Sequence, residues 1–377
     1  TAGALTALGL ESTGGGIDLG ADTITAVNLI ANGGGATLLA RDFVNTVSIT
    51  ATGAIDVDST AGGALALGTL DADGGITLDT TGSILATGIM ADGALVVGGT
   101  RLPNAVTLTG NARAQSITVD TGGVFDAVNL TATGGAINID AGVIDAAVLQ
   151  TTGGGVTLLA RGGATTTLIR SAGAIDIDST NGGALNLGEL VGAAGITLDT
   201  TGSLTTAAIG AAGGLVVGAT RMPGAVTFQD AITARSITID TTGALEAGNL
   251  TSTAGVIDIG ALSIEAAILS ANGGDAILQA TEFVDVDEIG VTGAIDIDST
   301  GGGALNLGTL SAGAGIALDT RGTVTAGAIT AGGALVVVQG WLADQEGLQN
   351  SFWLTVACEV YILWYALRGA KPGRVSS

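Results

Sequence analysis

The chain repeats itself every 120 residues without any change of register. The segment GAIDVDST at residues 53–60 returns as GAIDIDST at residues 173–180 and at residues 293–300. The segment LVVGGTRLPNAVT at residues 95–107 returns as LVVGATRMPGAVT at residues 215–227. Tandem repeats in constant register are typical of proteins built by stacking similar units along one axis. We therefore expect an elongated array, whose length does not indicate a number of globular domains.

Six shorter units make up each 120-residue block. In the block that begins at Gly53, the predicted units contain 21, 19, 22, 19, 19 and 20 residues. Each has an alternating strand such as IDVD or ITLD, then a turn, then a second apolar stretch such as ALALGTL. Two or three short strands in about 20 residues are typical of one coil of a parallel β-helix. We predict about 17 coils over residues 1–338, in a rod on the order of 80 Å long at about 4.8 Å per coil.

The apolar alternation predicts which side chains point into the core. In the IDVD segment at residues 55–58, a period of two directs Ile55 and Val57 inward and both aspartates to water. Glycine occupies 65 of 377 positions, which disfavours long helices because each interior glycine costs about 1 kcal/mol relative to alanine. The six-residue apolar-glycine signature of left-handed solenoids is missing. The predicted fold is therefore all-β, a right-handed parallel β-helix.

Charge and residue usage disfavour several kinds of function. Acidic residues number 34 against 11 basic ones, and the formal net charge of -23 repels nucleic-acid phosphates and anionic lipids. We therefore expect no nucleic-acid partner. Histidine is absent and Cys358 is the single cysteine, so the sequence offers neither histidine-based catalysis nor a cysteine-rich zinc site.

Aspartate recurs at the position that closes the first strand of a coil, with interruptions such as Gly98 and Leu159. Carboxylates one coil apart repel by roughly 0.9 kcal/mol in water, so such a column must be hydrated or neutralised. One interpretation is that each aspartate caps the tight turn that follows it. The other is calcium held between coils by outward carboxylates, because calcium prefers oxygen ligands. The predicted calcium ladder consists of Asp56, Asp58, Asp79, Asp120, Asp140, Asp176, Asp178, Asp199, Asp240, Asp296, Asp298 and Asp319.

The longest coil of a block carries an arginine close to a proline, Arg101 with Pro103 and Arg221 with Pro223. We expect a small protruding loop there, because extra residues in a coil are accommodated at the surface. The arginine of such a loop either contacts a ligand or forms ion pairs with the acidic surface. The sequence leaves both alternatives open.

The repeat pattern ends after Val337, where VQGWLA replaces the expected GGTRLP or GATRMP. All tryptophans and tyrosines, the only cysteine and the only lysine lie in residues 339–377, which we treat as a separate segment from the array at residues 1–338. Apolar spacings of three and four between Leu348 and Leu367 predict a helix there. The apolar stretch is short for a membrane span and contains Glu359, so no membrane span is predicted.

Two explanations of this tail stay open at the level of the sequence. It caps the exposed last coil of the array, whose core and backbone would otherwise face water. Alternatively, it results from a shift of the reading frame. The first residue, Thr1, aligns with Thr121 and Thr241 of the later blocks, and we expect the chain to be a piece of a longer array.

The repeat text GAIDIDSTNGGALNLGELVGAAGITLDTTGSL, at residues 173–204, resembles the repetitive regions of bacterial filamentous haemagglutinin-like adhesins and related large exoproteins. The likeness extends over residues 1–338 and concerns coil length and composition. It implies a secreted or outer-surface shaft that holds a binding tip away from the cell. It also implies a glycan or protein partner on a host or neighbouring cell, contacted by other parts of the parent chain. No active-site residues follow from the resemblance.

The leading functional hypothesis is a non-catalytic structural spacer of a cell-surface adhesin. The alternative is a calcium- or glycan-binding array that uses the aspartate column, with calcium as its only expected cofactor. A third hypothesis is a polysaccharide-degrading enzyme, since carboxylate pairs can serve as acid and base. Coil lengths of 19 to 22 residues leave no long insertions to build the walls of a cleft, which disfavours the enzyme. Side-by-side self-association of chains stays open.

Overall fold

The computed structural model describes residues 3–337, and these form a single all-β solenoid of about 18 turns. Each strand pairs in parallel with strands of the neighbouring coils. The predicted parallel β-helix is confirmed for this range, while its right-handed winding stays a prediction. No described residue lies in a helix, so residues 3–337 contain no helical segment able to cross a membrane. The helix predicted between Leu348 and Leu367 lies outside the described residues.

Thirty-four strands occupy nearly the whole described range. In chain order they are β1 (Ala4–Ser12), β2 (Ile17–Ala31), β3 (Ala36–Ala51), β4 (Ile55–Ser59), β5 (Leu65–Ala72), β6 (Ile76–Asp79), β7 (Ser83–Ala91), β8 (Leu95–Val97), β9 (Ala105–Ala114), β10 (Ile117–Asp120), β11 (Val124–Ala132), β12 (Ile137–Ala141), β13 (Val143–Thr151), β14 (Val156–Ala160), β15 (Ala164–Ser171), β16 (Ile175–Ser179), β17 (Leu185–Gly192), β18 (Ile196–Asp199), β19 (Ser203–Thr206), β20 (Ile209–Ala211), β21 (Leu215–Val217), β22 (Ala225–Phe228), β23 (Ile232–Ala234), β24 (Ile237–Asp240), β25 (Ala244–Ser252), β26 (Ile257–Ala261), β27 (Ser263–Ala271), β28 (Ala276–Ala280), β29 (Val284–Val291), β30 (Ile295–Ser299), β31 (Leu305–Ala312), β32 (Ile316–Thr320), β33 (Val324–Ala331) and β34 (Leu335–Val337). Strands β2 and β3 each combine the short strand and the long strand of a coil, which are separate strands in later coils.

A typical coil has one short strand and one long strand that bends in the middle. In β7, the inward alternation breaks at Thr87 and Gly88, so the strand forms two walls that meet at an angle. Together with the short strand β6, these walls enclose a core of three sides. Branched aliphatic residues and alanine fill this core because every second residue of a strand faces inward. The buried hydrophobic side chains of this coil are Ile76, Leu78, Ile84, Ala86, Ile89 and Ala91.

Successive coils stack in register, with apolar residues above apolar residues. Ile55 pairs with Ile76, and Ile76 with Leu95, each completely buried. The strand register also corrects two predicted coil lengths. Ile117 pairs with Ile137, so this coil has 20 residues rather than 19. Val156 pairs with Ile175, so that coil has 19 rather than 20, because the core strand rather than the turn glycine sets the repeat.

One glycine of the turn after the short strand is required by close packing of adjacent coils. A Cβ at Gly183 would overlap the carbonyl oxygen of Gly162 in the preceding coil. A Cβ at Gly303 would overlap the carbonyl oxygen of Glu282 in the same way, and Gly63 occupies the equivalent position of the first block. Only glycine lets the backbones approach this closely. This contact explains why glycine returns at this position every 120 residues.

Candidate functional site: the aspartate column

Register pairing brings the predicted aspartates together two at a time. The column is not continuous, since Leu159 separates Asp140 from Asp178 and glycine follows Asp79 and Asp199 at the next coil. Asp240 pairs with Gly260 and so has no aspartate on that side. Directly paired aspartates in adjacent coils are Asp58 with Asp79, Asp120 with Asp140, Asp178 with Asp199, and Asp298 with Asp319.

Two members of the column are buried rather than exposed to water as the sequence predicted. Asp79 is 4% exposed, and its Oδ1 accepts backbone hydrogen bonds from Thr100 at 3.0 Å and Arg101 at 3.4 Å. The two donors lie in the loop of the next coil, which follows the short strand β8. This loop folds over the carboxylate and supplies backbone N–H groups in place of water.

The second block repeats this arrangement. Asp199 is 3% exposed, and its Oδ1 accepts backbone hydrogen bonds from Thr220 at 3.0 Å and Arg221 at 3.3 Å. The Thr220 hydroxyl also donates to Oδ2 of Asp199 at 3.0 Å. Recurrence of the same contacts 120 residues later indicates a structural device that belongs to the repeat.

The arginines of these loops form ion pairs that cross two coils. A guanidinium nitrogen of Arg101 lies 3.5 Å from the carboxylate of Asp58, and Arg221 lies 3.5 Å from Asp178. Each arginine therefore sits above one buried and one half-buried aspartate of the column. Of the two alternatives for this loop, ion pairing with the acidic surface is confirmed.

A third ion pair of the column involves an arginine that is not among the residues predicted from the sequence. Arg161 lies 2.8 Å from Asp140 and also donates to the carbonyl oxygen of Thr121 at 3.0 Å, forty positions earlier in the chain. It thus joins three successive coils at the outer edge of the column. The signal available in the sequence was the recurrence of arginine at positions 41 and 161, one block apart.

Hydroxyl side chains, rather than the aspartates, cap the turns. Thr200 is buried, donates to the carbonyl oxygen of Gly183 at 2.8 Å and accepts from the backbone N–H of Gly202 at 2.9 Å. Thr80 makes the equivalent pair of hydrogen bonds, with the carbonyl of Gly63 and with its own turn. The residue that caps these turns is therefore the one after the predicted aspartate. Alternate residues of a strand face opposite sides, and the threonine faces inward, toward the backbone of the turn.

The electrostatic environment of the column favours protonation of its carboxyls. Partial burial is the largest cause that raises the pKa of each affected carboxyl above its ordinary value. For Asp298 the carboxylates of Asp319 and Asp296 raise the pKa further, and for Asp58 the guanidinium of Arg101 opposes the increase. The carboxyls with raised pKa are Asp56, Asp58, Asp120, Asp176, Asp178, Asp240 and Asp298.

The described geometry presents paired carboxylates rather than closed ligand cages. Within residues 3–337, no group of three or more acidic side chains is arranged to hold a metal ion. The flanking residues Asp56, Asp176 and Asp296 lie on the same strands as the column, two residues before it. Calcium binding by the ladder stays a prediction, and two carboxylates per site would leave most of its ligands to water.

A second acidic surface lies on the wall formed by the long strands. Glu246 pairs with Glu265, and Glu265 with Asp285, so three carboxylates follow one another in adjacent coils. They border a cavity of about 590 Å³ whose lining includes Gln229 and Asp287. This surface was not predicted from the sequence, because the predicted aspartate column follows only the short strands. The signal was an acidic residue at the same outward position in three consecutive coils.

Taken together, these features define the molecule as a parallel β-solenoid with an acidic lateral column that is braced by arginines and backbone donors. Comparisons with known protein families, with curated proteins and with solved structures find no match. The class of the protein is therefore given by the architecture of residues 3–337.

Proposed function

We propose that the chain is a non-catalytic structural shaft, a stiff acidic spacer that separates the segments joined to its two ends. The observation that carries this proposal is the continuity of one aliphatic core along the described coils. Because each coil contacts only its neighbours, every added coil lengthens the rod along its axis. At about 4.8 Å per coil, the described turns extend over roughly 80–90 Å.

Stiffness supports this proposal. Bending the rod would require hydrogen bonds to lengthen along one wall. The three walls of an interior coil are hydrogen-bonded to the coils on both sides. The buried hydroxyl of Thr200 adds a hydrogen bond to the preceding coil, and the ion pair of Arg221 with Asp178 joins residues two coils apart at the outer edge. The aspartates and arginines of the column therefore hold neighbouring coils together.

Placement of the shaft on the outside of a cell, as part of a filamentous haemagglutinin-like adhesin, belongs to the same proposal. Its support is the resemblance of the repeat text and the high net charge of -23, which keeps a long rod soluble and prevents non-specific association. In this role a glycan or protein on another cell is bound by segments attached to the shaft. The shaft itself supplies distance.

Block deletion tests the proposal. Removing residues 121–240 joins Asp120 to Thr241, which occupies the position of Thr121 in the repeat. We expect a folded β-protein whose maximum dimension in solution scattering is shorter by roughly 30 Å, the rise of six coils. The control deletes residues 121–230, which places Ala231 after Asp120 out of register and should disrupt the coils at the junction and lower the melting temperature. A full-block deletion with an unchanged dimension would contradict a modular shaft.

A catalytic role, the third hypothesis, has its own test. Acidic polysaccharides and neutral glycans are incubated with the purified chain, and new reducing ends are measured. We expect none. Turnover that disappears when Glu265 or Asp285 is replaced by the corresponding amide would contradict the non-catalytic shaft. It would indicate an enzyme that uses the acidic surface of the long strands.

A further inference from the structure

A cavity of about 420 Å³, the Gly88 cavity, lies on the outer surface of β5, β7 and β9, next to the bend of β7. Gly88 lines it and has no side chain to fill the space between the neighbouring coils. Thr69 pairs with Gly88 from the preceding coil, and Asn111 lines the cavity from the next one. Cavities of this size that contain a few convergent polar groups are typical of small-molecule sites.

The lining of the Gly88 cavity has one apolar side and an oriented amide. Met90 lines the cavity, and its side chain is 51% exposed. An unbranched methionine side chain adapts its shape to an aliphatic ligand. The Asn111 Oδ1 accepts a hydrogen bond from Asn129 Nδ2 at 2.8 Å, so the amide nitrogen of Asn111 is the group that can donate to a ligand.

Two opposite charges flank Met90 along the axis of the rod. Asp71 pairs with Met90, and Met90 pairs with Arg113, so the two charged residues lie two coils apart. Both are exposed, and both line the Gly88 cavity. Their backbones are roughly 10 Å apart at about 4.8 Å per coil. Within residues 3–337, neither Asp71 nor Arg113 belongs to an ion pair.

The residues of this cavity are not part of the repeated structure. Residues that hold the coils together return one block later, as Asp79 does in Asp199. The second block forms the same coils without the cavity residues, so these residues are not required for folding. The positions of Asp71, Gly88, Met90 and Arg113 are occupied in that block by Val191, Ala208, Gly210 and Thr233.

We propose that the Gly88 cavity binds a small zwitterion, an ω-amino carboxylate in which a short aliphatic chain separates an ammonium group from a carboxylate. Arg113 pairs with the carboxylate, Asp71 pairs with the ammonium group, and the aliphatic chain lies against Met90. A zwitterion has no net charge, so the net charge of -23 does not repel it as it repels a simple anion. The inference is independent of the shaft proposal, because it adds a ligand site to the lateral surface of the rod.

The methionines provide a specific test, because the chain has two of them, Met90 and Met222. The full chain, with isotopically labelled methionine methyl groups, is titrated with ε-aminocaproate and followed by NMR. Met222 is 48% exposed in the loop of the next block and serves as the internal control. We expect a saturable shift of the Met90 signal in the millimolar range, since exposed ion pairs are weak, and no shift of the Met222 signal. An unchanged Met90 signal, or equal shifts of both signals, would overturn the proposal.

Ligands that carry a single charge test the zwitterion. Caproate lacks the ammonium group and hexylamine lacks the carboxylate. At constant ionic strength, we expect each to bind at least several-fold more weakly than ε-aminocaproate. Equal affinity for caproate would indicate a simple anion site. Equal affinity for hexylamine would indicate general attraction of cations to the acidic surface. Either result would contradict the proposal.

Charge-removing variants then assign the two partners. We expect Arg113→Gln and Asp71→Asn each to weaken binding of ε-aminocaproate at least several-fold. Arg235→Gln is the matched control, because Arg235 is also exposed but belongs to the next block. It should bind the ligand as the unmodified chain does. Unchanged affinity in both cavity variants, or an equal loss in the control, would show that the ligand binds elsewhere.

Gly88→Val fills the cavity without removing a charge. A Cβ at Gly88 meets only Thr69 Cγ2 at 3.6 Å and the carbonyl oxygen of Asn111 at 4.0 Å, which are ordinary contacts, so this variant should fold. We expect a melting temperature close to that of the unmodified chain and loss of the Met90 response. If valine disturbs the coil, Gly88→Ala should weaken binding in the same direction. Unchanged binding by either folded variant would overturn the assignment of the site.

Discussion

Asp199 accepts two hydrogen bonds from Thr220, one from its backbone N–H and one from its hydroxyl, both at 3.0 Å. The two residues belong to successive coils, and the carboxylate lies beneath the loop that it orders. A carboxylate at this position accepts hydrogen bonds from the loop of the next coil. The same relationship between Asp79 and the backbone of Thr100 makes it a property of the repeat.

Removing this carboxylate should destabilise the solenoid locally. Asp199→Ala leaves two loop N–H groups and one hydroxyl without their acceptor, and we expect a loss of about 1–3 kcal/mol in the free energy of unfolding. Asp240→Ala is the control, because the pKa of Asp240 is raised by burial and by Asp258, so its charged form gains little from folding. Urea unfolding followed by circular dichroism measures both. Equal losses would contradict the role assigned to Asp199.

The buried hydroxyl of the turn should matter more than an exposed one. Thr200→Val keeps the shape but removes the partner of the Gly183 carbonyl and of the Gly202 N–H, for an expected cost of about 1–3 kcal/mol. Hydrogen exchange at Gly202 should accelerate. Thr197→Val, on the half-buried outward side of β18 and paired with Val216, should change little. If the Thr197 variant is the less stable of the two, the hydroxyl is not the determinant.

The close approach of adjacent coils at Gly183 predicts a strong effect of a single methyl group. Gly183→Ala introduces a Cβ into the carbonyl oxygen of Gly162, and we expect the adjustment to cost about 1–3 kcal/mol. Gly210→Ala provides the control, since a Cβ there meets no atom within 4 Å. Thermal unfolding midpoints of the two variants should differ clearly. Similar midpoints would show that the turn can shift without cost.

Stability should rise as the solution is made mildly acidic. The pKa of Asp298 is raised by burial and by Asp319 and Asp296, so the folded chain binds that proton more tightly than the unfolded chain. The resulting penalty on the folded state is complete at neutral pH and is relieved as the pH falls through the raised pKa values. The urea midpoint should therefore increase from pH 7 toward the acidic range just above the ordinary aspartate pKa.

A matched variant separates this effect from other titrations. Replacing Asp176 and Asp298 with asparagine should reduce the slope of stability against pH, because both have a raised pKa in the folded chain. A urea midpoint that decreases steadily from pH 7 downward in the unmodified chain would contradict the sign of the effect.

Calcium should have little influence on the stability of the solenoid, because several carboxylates of the column already have an arginine or loop N–H partner. Asp58 and Asp178 pair with arginines, and Asp79 and Asp199 accept loop hydrogen bonds. We expect millimolar calcium to leave the melting temperature unchanged, with potassium chloride at equal ionic strength as the control. An increase of several degrees that is specific to calcium and lost in Asp298→Asn would instead support the calcium ladder.

The sequence by itself determined the architecture, because it carries the cause of that architecture in every coil. The alternation in segments such as residues 55–58 sets which side chains face inward, and the return of the same text every 120 residues sets the stacking. The pairing of Asp58 with Asp79, and of Asp178 with Asp199, could be obtained by aligning coils. These features follow from the sequence pattern of each coil and from the alignment of one coil with the next.

What only the tertiary structure decided is how the members of the column differ from one another. Asp79 and Asp199 are buried because the loop of the next coil folds over them. Arg161 contacts Thr121 because residues forty positions apart in the chain lie only two coils apart in space. Local alternation assigns all these side chains to water. Their burial and charge pairing depend on the coil above, since a solenoid brings each surface position close to residues about twenty and forty positions away.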